Sequence, residues 1–66
     1  MTKAEAITAL SEGEKITHYY FDNNEWVKES NGMYLFEDGV KQNISEFWET
    51  RKLNGWDQGW EIFGDD

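Results

Sequence analysis

No cysteine occurs in this chain of 66 residues, which excludes a disulfide framework and a thiolate metal site, two usual supports of very small domains. A chain this short buries only about 60% of the surface its unfolded form exposes. Its core must therefore be dense, and the chain fills it with aromatics: four Trp, four Phe and three Tyr, 17% of all residues. Each can bury roughly 150 to 250 Å². That content argues against disorder and predicts a single domain over residues 1–66, stabilised by aromatic burial or by self-association.

The net charge of −8 makes direct nucleic acid binding through a Lys/Arg surface improbable on physical grounds. No run approaches the roughly 18 apolar residues that cross a membrane. Met1-Thr2-Lys3 leads into an Ala/Glu segment instead of the apolar core of a secretory signal. The expectation is a cytoplasmic protein without membrane contact.

Thr2 and Glu5 have the spacing of a capping box, and Ala6, Ile7, Ala9 and Leu10 form an apolar stripe behind it. A helix from about Lys3 to Glu12 follows, closed by Gly13. Lys15 to Phe21 and Glu25 to Glu29 read as two strands around a turn at Asp22-Asn23-Asn24. Asn31-Gly32 is the strongest hairpin signal, since both residues tolerate positive φ, and Met33 to Phe36 is the third strand. After the Glu37-Asp38-Gly39 turn, Val40-Lys41 continues the sheet briefly. Asn43 and Glu46 repeat the capping spacing before a short second helix that ends near Lys52. Trp60, Ile62 and Phe63 form a last strand before a polar tail. The fold class is α+β: an antiparallel sheet of three to four strands with two helices, in the order αβββαβ.

Few residues offer chemistry. His18 is the only histidine, which leaves no partner set for a metal cluster or a Ser-His-Asp triad. It reads as a strand histidine, packed or hydrogen-bonded beside Tyr19 and Tyr20. Asp22-Asn23-Asn24-Glu25 lacks the spacing and central Gly of a calcium loop, and no glycine pattern matches a phosphate-cradling loop. Trp48, Trp56 and Trp60 read as core. Neither catalysis, a metal nor a cofactor is expected.

Sheet parity supplies a site. With two-residue turns at Asn23-Asn24 and Asn31-Gly32, Tyr19, Phe21, Trp26, Met33 and Leu35 share one face, while Ile16, His18, Tyr20, Val27, Tyr34 and Phe36 share the other with Glu29. Both are apolar, although an antiparallel sheet that meets water on one side normally alternates. The first helix is expected on the uniformly apolar face with Phe21, Trp26, Met33 and Leu35. The opposite face, through His18, Tyr20, Glu29 and Tyr34, is then expected to meet a second copy, a host protein or a flat ligand.

Met1-Thr2-Lys3 with Glu5-Ala6-Ile7, Gly13, Ile16-Thr17-His18, Phe21, Glu25-Trp26, Glu37-Asp38-Gly39, Glu46-Phe47-Trp48, Arg51, Gly59-Trp60 and Ile62 together make the chain resemble a group of short phage and prophage proteins of gut-type bacteria. Through Ala9 to Lys15 and Trp60-Glu61-Ile62 it is also similar to the phage Thoeris anti-defence sponge family, whose members sequester nucleotide immune signals as oligomers. Members of that family are longer in the middle, and none of their ligand-binding residues has a counterpart here. The resemblance implies a non-catalytic, homo-oligomeric binding protein that counters host defence by holding a nucleotide or occupying a host protein. An acidic DNA mimic and a structural accessory protein are the alternatives.

Overall fold

The structure is a computed structural model and describes residues 1–64, so that Asp65 and Asp66 of the tail lie outside the described residues. Its first helix, α1 (Lys3–Ser11), starts where the capping box places it. Thr2 Oγ1 accepts the Glu5 amide at 3.2 Å and the Glu5 carboxylate accepts the Thr2 amide at 2.8 Å. That second bond holds the Glu5 carboxyl below the usual glutamate range. At the other end the Gly13 amide donates to Leu10 O at 3.0 Å and the Glu14 amide to Ala9 O at 3.1 Å. This bond pair is a Schellman closure, and it requires the φ of +88° that Gly13 adopts.

Five strands follow in one antiparallel sheet: β1 (Ile16–His18), β2 (Val27–Ser30), β3 (Met33–Phe36), β4 (Lys41–Asn43) and β5 (Trp60–Ile62), in the spatial order β4-β3-β2-β1-β5. The sheet is thus slightly wider than the three to four strands expected. Asn31 and Gly32, at φ 54° and 80°, form the expected two-residue turn with Ser30 opposite Met33. The expected turn at Asn23-Asn24 does form, with the Glu25 amide donating to Asp22 O at 3.0 Å, but it does not join β1 to β2 as a tight hairpin: the chain leaves the sheet after His18 and returns at Val27, with Ile16 facing Val27 instead of Asn31. The register differs from the expected one by an even number of residues, so the β1 and β2 side chains keep their faces.

The second helix, α2 (Ile44–Glu49), is shorter than expected and is capped by Asn43 Oδ1, which accepts the Ser45 amide at 2.9 Å. Arg51 folds back over its end, donating to Phe47 O at 3.1 Å with its guanidinium 4.0 Å from the Phe47 ring centre.

The core comprises Ala6, Ala9, Leu10, Ile16, Val27, Tyr34, Phe47 and Trp60. Leu10 docks as expected, whereas Ile7 is 40% exposed. The face that α1 covers is the reverse of the expected one: it packs on the side of Ile16, Val27 and Tyr34, and not on Trp26, Met33 and Leu35. Two contributions from distant sequence decide this. Pairing of β5 with β1 delivers the large Trp60 indole to the His18 side, and α2 adds Phe47. Small Ala6 and Ala9 on α1 complement those large rings. The opposite face carries Lys28 and Lys41 in register with Leu35, and lysines are almost never fully buried.

Candidate functional site: the open face of the sheet

The four residues expected to form a binding surface do not form one. His18 is 2% exposed, its ring packed between Tyr19, Trp56 and Trp60 at centroid distances of 4.7, 4.4 and 4.6 Å. Its Nδ1 accepts the Tyr20 amide at 3.0 Å, so Nε2 carries the proton and donates to Gln58 O at 2.6 Å. Both ring nitrogens are spent on backbone, which makes His18 the pin between the loop after β1 and the segment before β5.

Tyr34 is likewise 2% exposed. Its hydroxyl accepts Trp48 Nε1 at 3.0 Å, and burial pushes its pKa up. Glu29 sits half-buried directly across from Tyr34. Tyr20, at 54% exposure, belongs to the loop and not to a strand, its ring lying against His18 and Trp56 and over the backbone of Gly55. The structure therefore joins His18 with Tyr20, and Glu29 with Tyr34, but as two separate pairs in which His18 and Tyr34 are buried.

What remains open is the other face. Lys41 pairs with Leu35 and Leu35 with Lys28. Extending the Ile16–Val27 register places Lys15 beside Lys28, and the Phe63 amide donates to Lys15 O at 2.8 Å. Lys41, Leu35 and Lys28 thus form one row across β4, β3 and β2, continued by Lys15 just before β1 and Phe63 just after β5. Strand spacing separates Lys28 from Lys15 by about 5 Å and from Lys41 by about 10 Å at the backbone. Trp26 flanks the row, with Lys15 Nζ 4.4 Å and the Phe63 ring 6.4 Å from it. A neutral row of Asn43, Met33 and Ser30 lies alongside. Glu61, opposite Thr17, adds a carboxylate near β5.

Three of the six Lys and Arg residues of a chain of charge −8 therefore stand in line on one face. Sequence reasoning missed them because it followed apolar residues; the signal was the shared parity of Lys28 with Trp26 and of Lys41 with Leu35. Chemically, the row offers point charges for anionic oxygens beside half-buried apolar surface.

No protein family, curated protein or solved structure matches the chain. Among the described residues no group of three His, Asp or Glu side chains is arranged to hold a metal, and no helix is long and apolar enough to cross a membrane.

Proposed function

We propose that the protein is a non-catalytic binding module that holds a small phosphorylated aromatic ligand, of nucleotide type, on the open sheet face. The observation that carries this reading is the lysine row on an otherwise acidic chain. Lys28 and Lys41 supply contacts for phosphate oxygens, while Leu35 and the edge of Trp26 supply apolar surface for a ring.

Charge range favours a small ligand over a nucleic acid strand. At physiological salt the screening length is about 8 Å, so a ligand seated on the row experiences mainly the lysines. A strand running across the 26 Å body would pass into the surrounding carboxylates. The likeness to the sponge family supports the same chemistry and supports sequestration as its purpose. A flat face encloses little of a ligand, whereas small-molecule sites bury roughly 70 to 90% of theirs. A second copy closing over the bound anion meets that need and screens one lysine row from the other.

The test is isothermal titration with ATP, NAD and inorganic phosphate, beside a 20-nucleotide single strand, at two salt concentrations. Nucleotide binding that weakens with salt and falls at least tenfold in Lys28→Glu/Lys41→Glu supports the reading, with light scattering showing dimer only in the presence of nucleotide. Absence of nucleotide binding at about 1 mM, the limit of weak specific affinity, or unchanged affinity in the double variant, overturns it.

A further inference from the structure

We infer a second binding surface of opposite charge, independent of the lysine face: the outer edge of β5, with the groove between it and α1, takes a basic extended peptide as an added antiparallel strand.

β5 is an edge strand. The Tyr19 amide donates to Gly59 O at 3.2 Å and the Phe63 amide to Lys15 O at 2.8 Å. The alternate residues, Trp60 and Ile62, therefore turn their backbone groups outward, away from β1. At Trp60 that edge is already used. The Met1 ammonium donates to Trp60 O at 2.7 Å and the Trp60 amide donates back to Met1 O at 3.3 Å. Such an exchange between two residues is one rung of an antiparallel ladder. The chain's own first residue thus shows that the edge accepts a strand, and fixes the direction. Among the described residues the ladder has no rung at Ile62.

The surroundings define the occupant. A groove of about 420 Å³ lies beside the edge, lined by Met1, Ala4, Ala9 and Ile62 together with the acidic Glu5, Glu12 and Glu14. The alanines leave room for a visitor's side chains. Side chains of an added strand point alternately to the two sides of the sheet. Those on the α1 side meet Glu12 and Glu14, and those on the opposite side meet Glu61, which pairs with Thr17 on the lysine face. Carboxylates thus stand on both sides of this edge, so the complementary partner carries Lys or Arg among apolar residues. Backbone bonds at an open edge give such complexes their affinity, and the flanking groups give the choice of partner.

The experiment uses fluorescence anisotropy with a labelled hexapeptide of alternating Lys and Val, against one of alternating Glu and Val and one of alternating Lys and Pro. The Lys/Pro peptide keeps the charge and loses amide donors. The Lys/Val peptide is expected to bind, and each control at least tenfold more weakly. Ile62→Pro removes an outward amide while sparing the bonds to β1, a position where an edge strand tolerates proline, and should weaken binding at least tenfold with an unchanged circular dichroism spectrum. Glu12→Lys/Glu14→Lys, at exposed positions, should do the same and serves where the proline variant does not fold. Equal binding of the Lys/Pro and Lys/Val peptides, no effect of the double variant, or pairing of β5 with a second copy in place of the peptide overturns the inference.

Discussion

The two faces of the sheet draw on the same kinds of residue, yet one is a core and the other a surface. On the covered face Ile16, Val27 and Tyr34 meet Leu10, Phe47 and Trp60. On the open face Met33, Leu35 and Trp26 are as apolar individually, but Lys28 and Lys41 stand in register with Leu35. Cross-strand neighbours share a face, so those two lysines commit the whole row to water. The difference teaches that in a chain rich in apolar residues the rarer charges choose the face. It also explains why a dense core and a charged platform coexist in a single layer of sheet.

Breaking the covered face should have the largest effect. Leu10 is fully buried, and truncating a buried leucine costs about 2 to 5 kcal/mol, a large share of a small domain's stability. Leu10→Ala is expected to lower the unfolding free energy by that amount, read as a lower chemical denaturation midpoint. An unchanged midpoint would show that α1 does not close this face. Gly59→Ala should come next. Gly59 holds φ +90° beneath the Tyr19 ring, and an added Cβ would also lie 3.1 Å from His18 Nε2. Left-handed backbone costs a non-glycine residue about 1 to 2 kcal/mol. Because Tyr19 is exposed and its ring can yield, thermal unfolding should report mainly that backbone cost, and a neutral outcome would remove Gly59 as a determinant of the β1–β5 junction.

These two residues also mark what was legible in the sequence. Leu10 and the helix around it were readable because a capping box, an apolar stripe and a C-terminal glycine are local signals, as are Asn31 and Gly32. The α+β class followed from such pieces. The turn at Asn23-Asn24 is where the sequence puts it, but strand 1 ends before it for a nonlocal reason: Tyr19 and Tyr20 leave the strand to lie over Gly59 and Gly55, and His18 bonds the Gln58 carbonyl. Nothing near residue 20 announces glycines some forty positions later. Face assignment failed for the same cause, since Trp60 and Phe47 arrive from other elements. His18 was read correctly as a packed, hydrogen-bonded side chain but was also placed in a binding surface, and its burial supports only the first reading.

The cap of α1 offers a smaller, pH-dependent way to weaken the covered face. Losing a threonine N-cap costs about 1 kcal/mol, so Thr2→Ala should lower stability by about that at neutral pH. The Glu5 carboxyl is held low by its bond from the Thr2 amide. A carboxylate depressed in the folded state contributes stability above its unfolded pKa and loses it as pH falls through the folded one. Stability measured from pH 7 down through the acidic range should therefore fall less steeply in Glu5→Gln than in the parent. Parallel curves for the two proteins would show that this bond does not contribute.

The smallest effect on stability is expected on the open face, where the comparison is tested most sharply. Lys28→Gln/Lys41→Gln removes two charges while keeping much of each side chain's length, at a half-buried and an exposed position of the open face. Surface substitutions of this kind change stability by about 0.5 kcal/mol or less. The sign should be slightly destabilising at low salt, because losing two cations makes an acidic chain more acidic and strengthens its self-repulsion. High salt should erase even that, since screening shortens the reach of exposed charges. Urea midpoints at low and high salt measure both statements. A loss above about 1 kcal/mol that persists in high salt would mean that the lysines' aliphatic stems pack Leu35 and Met33 as a second core. The open face would then be structural, and the case for a ligand there would fail with it.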